Sequence, residues 1–336
     1  MTVPTEVLSG LYQLKVPIPD NPLGWVLPYL IPGDDGYTLV DCGWNTEEAF
    51  AALERELNDL SLTFDDIKRL LVTHVHPDHY GLAGRIKEVC GAQVIIHQRE
   101  RDFIRSRYRN PGQLLERVAV WLSENGVPKV EVEDLQHSSM PARSWVVPVE
   151  PDAVLWGGET IDFGMYKFEV YWTPGHSPGH ICFYERAQRA ILTGDHVLPT
   201  ITPNVGLHPQ QQGNPLGDYL ASLQRLEPLE VDDVFPAHEH SFKDLQGRLV
   251  SIVEHHHERL DEMLAVVRER ERATAYDVAS TIEWTIGGFE KFNSWTRRAA
   301  ISETLAHLEY AVYEGRLRQV REGNVQKYEL ITEGAD

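Results

Sequence analysis

The 336-residue chain predicts a layered α/β domain followed by a smaller, mainly helical one. Two features carry this expectation. Short apolar runs bounded by turn residues fill the first two thirds with helical stretches between them, and near Arg248 the apolar spacing changes to that of long helices. Length agrees, because the chain exceeds the ~100–200 residues of one ordinary domain.

Runs 11–18, 25–31, 37–40, 69–73, 94–97, 168–172 and 190–193 read as strands. Residues 46–60 read as a helix, with Asn45 followed three residues later by Glu48 as a capping box. Strands in runs with helices between them stack as layers of sheet and helix. Beyond Arg248, Leu249, Ile252, Val253, Leu260, Leu264 and Val267 recur at helical spacing. Ile301, Leu305, Leu308 and Val312 repeat the pattern before Gly315, a helix stop. Residues 316–320 and 325–331 alternate around Glu322, Gly323 and Asn324, which predicts a β-hairpin. Helices followed by a hairpin suggest a winged-helix-like module. The expected division is 1–247 for the α/β domain, with an insert at about 98–148, and 248–336 for the C-terminal domain.

Composition narrows the function classes. With 31 Lys and Arg against 51 Asp and Glu, the formal net charge is −20, a field that repels nucleic acid and anionic membranes before any local contact forms. No apolar run approaches the ~20 residues of a membrane span, and the start shows no basic stretch followed by an apolar one. A soluble, cytoplasmic protein is expected. Cys42, Cys90 and Cys182 stand far apart without a C-x-x-C pair, so neither a disulfide framework nor a thiolate metal cage is expected.

The chemistry-bearing run is Leu70-Leu71-Val72-Thr73-His74-Val75-His76-Pro77-Asp78-His79. A strand sends alternate side chains to one face, so His74 and His76 can share a side where the strand ends. The turn through Pro77 can then bring Asp78 and His79 to a second point nearby. Imidazole and carboxylate ligands of this kind suit two borderline metal ions about 3.5–4 Å apart. His255, His256 and His257 are a different case: consecutive on a predicted helix, they point in different directions and do not converge on one ion.

H-x-H-x-D-H after a hydrophobic strand resembles the signature of the metallo-β-lactamase superfamily, whose αββα sandwich carries its site on loops at one edge. Three later stretches resemble the family's further motifs in the same order: Thr173-Pro174-Gly175-His176-Ser177-Pro178-Gly179-His180, Leu192-Thr193-Gly194-Asp195 and Pro236-Ala237-His238. The resemblance implies that His74, His76 and His176 bind one metal ion, that Asp78, His79 and His238 bind the other, and that Asp195 bridges them. Leu39-Val40-Asp41-Cys42-Gly43 resembles the family's strand-end aspartate, which orients a metal-binding histidine from behind. His180 and His196, beside ligand motifs, are expected to hold ligands by hydrogen bonds or to wall the pocket. The match runs over roughly residues 11–245. One such histidine has many ordinary explanations, whereas seven matched positions have few. Two zinc ions are the expected cofactors, with iron or manganese suited to the same set.

Such a site implies hydrolysis. Coordination lowers the pKa of water from ~15.7 to about 7, so the expected nucleophile is a hydroxide bridging the two ions, with Asp78 as the catalytic residue that ligates and helps to orient it. Family variants narrow the substrate. True β-lactamases lack an aspartate at the position of Asp195 and are exported, flavodiiron members carry glutamate where His76 stands, and β-CASP nucleases contain a large inserted domain not recognisable here. Glyoxalase II, acyl-thioesterases, lactonases and endoribonucleases with a C-terminal winged helix share the ligand pattern. The expected function is hydrolysis of a small-molecule thioester, ester or lactone, with endoribonucleases of the winged-helix-bearing group as the alternative. Charge weighs against that alternative: from Leu249 onward eleven Lys and Arg face sixteen Asp and Glu. The C-terminal module is therefore read as a packing, dimerisation or pocket-closing element, with a homodimer left open and no nucleic-acid or membrane partner expected.

The stretch between the first two motifs is longer than a simple connection and places Arg101, Arg105 and Arg109 at i, i+4 helical spacing. Like charges so spaced destabilise a helix by ~0.2–0.5 kcal/mol per pair. The stripe is therefore a candidate anion-binding surface near the site, beside the plainer reading of a solvated helix face. Tyr108, Trp121 and Trp145 fit either an apolar acyl pocket or plain core.

Overall fold

The computed structural model describes residues 4–19, 21–109, 111–211 and 213–331. Two compact units emerge: the first takes its residues from 1–109, 141–203 and 222–249, the second from 110–140, 204–221 and 250–336.

In the first unit, β1 (Thr5–Leu8) and β2 (Leu11–Gln13) are followed by a two-stranded ribbon of β3 (Val16–Pro17) and β4 (Trp25–Val26). Next come β5 (Tyr29–Gly33), β6 (Gly36–Val40), β7 (Ile67–Leu71), β8 (Gln93–His97) and β9 (Ala153–Leu155). The ribbon apart, these strands form a seven-stranded sheet in the order β1-β2-β5-β6-β7-β8-β9, parallel from β6 onward. A second sheet holds β10 (Thr160–Asp162), β11 (Lys167–Trp172), β12 (Ile181–Glu185), β13 (Ala190–Gly194) and β14 (Asp233–Pro236) in sequence order, and only β13 and β14 run parallel.

Side-chain alternation explains the layering. Tyr29, Ile31, Val40, Leu71 and Ile95 of the first sheet meet Phe168, Val170, Ile181, Phe183, Leu192 and Phe235 of the second in one apolar layer. The intervening residues Leu30, Leu39, Leu70 and Val94 face the other way. There they pack with Ala49, Leu53 and Leu57 of α1 (Glu47–Asp59) and with Ala83 and Ile86, which lie in the helix after the short α2 (Pro77–Tyr80), namely α3 (Ala83–Cys90). The unit is an αββα sandwich of the expected class.

Local details depart from the sequence expectation for identifiable reasons. Residues 11–18 and 25–31 each break into two strands. In the second run the break falls at Leu27 and Pro28; Pro28 has no amide hydrogen to give to a ladder, and the Leu27 amide donates instead to the Ala237 carbonyl at 2.8 Å. The cap of α1 is Thr46, whose hydroxyl accepts from the Ala49 amide at 3.1 Å, not the Asn45–Glu48 pair. The strand expected over 69–73 is Ile67–Leu71, so Thr73, His74 and His76 follow it in a loop. Strands β1, β9, β10, β12 and β14 lie outside the expected runs.

The second unit has a core of its own. α4 (Gln98–Ile104) stays with the first unit, but α5 (Pro111–Glu124) brings Val118 and Leu122, and α6 (Lys129–His137) brings Leu135, into a cluster beyond it. α7 (Pro215–Leu226) begins in the second unit and ends in the first. The remaining members come from α8 (Leu245–Arg270), α9 (Ala275–Ala279) and α10 (Ser294–Tyr313), through Leu260, Leu264, Val278, Ile301 and Leu308. β15 (Leu317–Glu322) and β16 (Val325–Leu330) form a hairpin in which Leu317 and Tyr328 close on the same core. The insert expected at 98–148 is thus divided: only 98–109 and 141–148 belong with the sheets, because the apolar faces of α5 and α6 are buried against the C-terminal helices. Among the described residues no helix is long and apolar enough to cross a membrane.

One glycine locks the turn that carries Asp78 and His79. A Cβ on Gly81 would lie 2.4 Å from the carbonyl oxygens of both Pro77 and Trp145 and 2.7 Å from that of Gly43, all backbone atoms that cannot yield singly. Gly81→Ala is expected to lower stability by about 1–3 kcal/mol, seen as a reduced urea midpoint at unchanged m-value.

Candidate metal centre

The polar residues of the first unit gather where parallel strands end. Asp41 follows β6 with φ of 62°, a left-handed conformation that aspartate tolerates better than most residues. Its carboxylate accepts from the Thr73 amide (2.8 Å) and hydroxyl (2.9 Å) and lies 2.7 Å from His79 Nδ1. The Cys42 and Gly43 amides donate to the carbonyls of His79 and Asp78 at 3.0 and 2.9 Å. Pro77 opens α2 in the first helical position, where its missing amide hydrogen costs nothing. Asp41 therefore fixes the ring of His79, and its neighbours fix the backbone beneath it.

Three imidazoles converge first. His74 Nε2 and His76 Nδ1 are 2.9 Å apart, and His176 Nε2 lies 3.2 Å from the former and 3.0 Å from the latter. These separations are close to the ~3.3 Å edge of a tetrahedron with ~2.0 Å metal–nitrogen bonds. The second ring nitrogen of His74 is engaged by the Thr73 hydroxyl at 3.1 Å. A second set combines Asp78, His79 and His238: His238 Nε2 is 3.3 Å from Asp78 Oδ2, and His79 Nε2 is 3.8 Å from Asp78 Oδ1. His238 is aimed by its Nδ1, which donates to the Trp25 carbonyl at 3.0 Å. Asp195 reaches across both sets, 3.6 Å from His176, 3.4 Å from His79 and 3.3 Å from His238. All seven residues named from the motifs thus meet in one cluster.

Burial makes this cluster electrostatically demanding. His74, His79 and His238 are fully buried, while the side chains of Asp78 (15%), Asp195 (11%) and His176 (9%) keep the little exposure through which a small molecule could enter. Burial, then the neighbouring imidazoles, holds His74 and His76 well below the usual histidine range. At His79 and His238 burial pulls the same way but loses to Asp195 and its fellow carboxylates, so both are raised, His238 to about 10. Asp195 is driven down despite its burial by His238 and His79. His79 Nε2, His238 Nε2 and Asp195 Oδ1 are buried without a hydrogen-bond partner, which is costly unless a cation sits among them. Neutral imidazole nitrogens and carboxylates in this arrangement fit divalent metal ions.

The remaining expected residues take different places. His180 belongs to no ligand group: its Nε2 accepts from the Asp195 amide at 3.1 Å, so Nδ1 carries the hydrogen and donates to the Thr173 hydroxyl at 2.9 Å. His196 is buried beside it, with ring centroids 5.8 Å apart. The arginine stripe is largely committed, since Arg105 and Arg109 both approach Glu150, at 3.5 and 3.2 Å, and Arg101 lies 3.9 Å from Asp102. Moreover, residues Arg105–Arg109 form a π-helical turn in place of continued α-helix. Tyr108 and Trp145 are core residues of the first unit, Trp145 stacked on Trp44 at 3.8 Å, and Trp121 packs in the second unit. His256 pairs with His307 of α10 at 3.1 Å. Sequence reading passed over Glu100, a fully buried carboxylate between the ligand loops. A signal existed: with Phe103 and Ile104 at i+3 and i+4, Glu100 sits on the apolar face of α4.

Comparison with known proteins agrees with this geometry. Residues 26–238 match the family model described as the metallo-beta-lactamase superfamily. A probable metallo-hydrolase of Bacillus subtilis (strain 168), YqjP, is 28% identical over 96% of this chain and 98% of its own. Among solved structures, the metallo-beta-lactamase family protein TTHA1429 from Thermus thermophilus is 33% identical over 97% of this chain and 100% of that one, with a TM-score of 0.83. A beta-lactamase domain protein from Burkholderia ambifaria is 26% identical over 98% and 94%, also with a TM-score of 0.83. The chain belongs to the metallo-β-lactamase superfamily.

Proposed function

We propose that the protein is a binuclear metal-dependent hydrolase of small-molecule thioesters, esters or lactones. The observation that carries this reading is the convergence of His74, His76 and His176, of Asp78, His79 and His238, and of Asp195 between them. The probable metallo-hydrolase of B. subtilis, similar along nearly its whole length, supports the reaction class. Two divalent ions, zinc foremost given the imidazole-rich set, would supply an activated water near neutral pH and polarise the scissile carbonyl. Asp78, at the open side, would hold that water in line through its carboxylate.

The leaving group favours thioesters. An amine must be protonated as it departs, and the nearby groups are poorly suited to that task. Burial, and then the charges of His176 and Arg225, hold His196 at about 3, and His180 is likewise well below its ordinary range, so both are neutral at pH 7. Burial pushes the Tyr108 hydroxyl to about 12, and it donates to the Val75 carbonyl at 2.7 Å. A thiolate needs no such proton, and a lactone alkoxide needs it less where a cation stabilises it.

Metal retention should depend on pH with a definite sign. His79 and His238 are raised, so near neutrality a cation must displace their protons, and each displaced proton weakens binding about tenfold per unit fall in pH. The three-histidine set contains His74 and His76, already deprotonated, and loses less. Chelator competition between pH 8 and 6 should therefore show the Asp78–His79–His238 ion leaving first, and Asp195→Asn should loosen both. A pH-independent single ion, indifferent to that substitution, contradicts the binuclear reading.

Substrate preference is tested with matched thioesters, lactones, amides and phosphodiesters, and thioesters should have the highest kcat/KM. Arg107 is the cation of the π-turn whose charge, after burial and His176, helps to depress His76. If the substrate is anionic, Arg107→Ala should raise KM for a carboxylate- or phosphate-bearing thioester, spare its neutral analogue and leave kcat nearly unchanged. Phosphodiester cleavage exceeding thioester cleavage would promote the endoribonuclease reading instead.

A further inference from the structure

Glu100 joins the two loops that supply the three-histidine set. It is fully buried in α4. One carboxylate oxygen accepts from the Val75 amide at 2.8 Å, and Val75 is the residue between His74 and His76. The other accepts from the Gly179 amide at 2.7 Å and from the hydroxyl of Ser177, the residue after His176. Tyr108, on the π-turn that follows α4, donates to the Val75 carbonyl at 2.7 Å. The two peptides that flank Val75, His74–Val75 and Val75–His76, are thus held by one helical segment. The fit leaves no slack at Gly179, where a Cβ would lie 2.8 Å from Glu100 Cγ and from the Glu100 amide nitrogen.

We propose that Glu100 is a positioning residue for the metal held by His74, His76 and His176, doing for that set what Asp41 does for His79. The role rests on the metal-centre reading above. Two of its three partners are backbone amides, which only donate, so both oxygens must act as acceptors. A glutamine of the same shape has a single acceptor oxygen and must turn its NH2 toward Val75 or toward Gly179, setting donor against donor in a buried place. The loop so repelled moves His74 and His76, or His176, out of their common geometry. The Asp78–His79–His238 set is anchored elsewhere, by Asp41 and the Trp25 carbonyl. Loss of Glu100 should therefore be felt at one ion and not at both.

The test uses the full chain loaded with zinc, and in parallel with cobalt(II), titrated with a chelator and read by elemental analysis and by the visible cobalt spectrum. The wild type is expected to hold about two ions per chain. In Glu100→Gln the ion of the three-histidine set should bind about 10- to 100-fold more weakly, with its cobalt bands altered and the other ion retained as in the wild type. Ser177→Ala removes one contact of three and should give a smaller loss at the same site, which keeps the test available if Glu100→Gln does not fold. Wild-type chelator curves and cobalt spectra in both variants, or equal weakening of both ions, overturn the role of Glu100 while leaving the metal centre standing. A wild type that holds no ion overturns the metal reading and this role together.

Discussion

The centre is governed by the cost of burying charge. Asp41 and Asp195 are both buried, Asp195 against His79 and His238 beside Asp78, and Asp41 behind His79. An ionised carboxylate so placed is tolerable only if opposite charge or several hydrogen bonds reach it. Asp41 meets the condition with the Thr73 amide and hydroxyl and with His79. Asp78 and Asp195 face imidazole nitrogens. Imidazole suits this arrangement because its two nitrogens act independently: one is spent on Asp41, Thr73 or the Trp25 carbonyl, and the other is left pointing at the centre. The partners behind the rings thus decide which atoms face inward.

The sandwich delivers these groups through a shared device. Each sheet has a parallel pair whose strands end side by side, and the residues of the cluster follow the ends. Val40 is level with Leu71 across β6 and β7, which sets Asp41 beside Thr73 and the histidine loop. Gly194 is level with Pro236 across β13 and β14, which sets Asp195 near His238. A slip of one residue in either pair would turn the inward side chains outward, so the apolar layer between the sheets that fixes the register also fixes the site. His180 ties the halves of this second corner by accepting from the Asp195 amide and bonding Thr173.

Legibility in the sequence followed the range of the interactions involved. Four members of the cluster lie within His74–His79 as a local pattern, and each later member sits in its own short stretch resembling a family motif, so all seven could be named without coordinates. Asp41 was legible through the resemblance of Leu39-Val40-Asp41-Cys42-Gly43 to the family's strand-end aspartate. The membership of α5 and α6 was not, since an amphipathic helix shows that it has an apolar face but not which core receives it. The surroundings of the arginine stripe were hidden for a related reason. Helical spacing at Arg101, Arg105 and Arg109 assumed a regular α-helix and gave no hint of Glu150, more than forty residues away, to which two of the three turn. Glu100 needed the opposite inference, that a charge on an apolar face implies buried donors.

The π-turn itself has a geometric consequence for the site. An α-helix advances about 100° per residue, so continuing α4 regularly from Glu100 to Tyr108 would leave the two side chains some 80° apart around the axis. In Arg105–Arg109 the i→i+5 pattern opens the turn to about 80° per residue, and over the same eight steps the accumulated rotation returns nearly to whole turns. Glu100 and Tyr108 then share a face. The carboxylate takes the Val75 amide while the phenol takes the Val75 carbonyl, so the His74–Val75 and Val75–His76 peptides are each held. The α4 carboxylate and the phenol of the irregular turn thus meet the chain at the residue between His74 and His76.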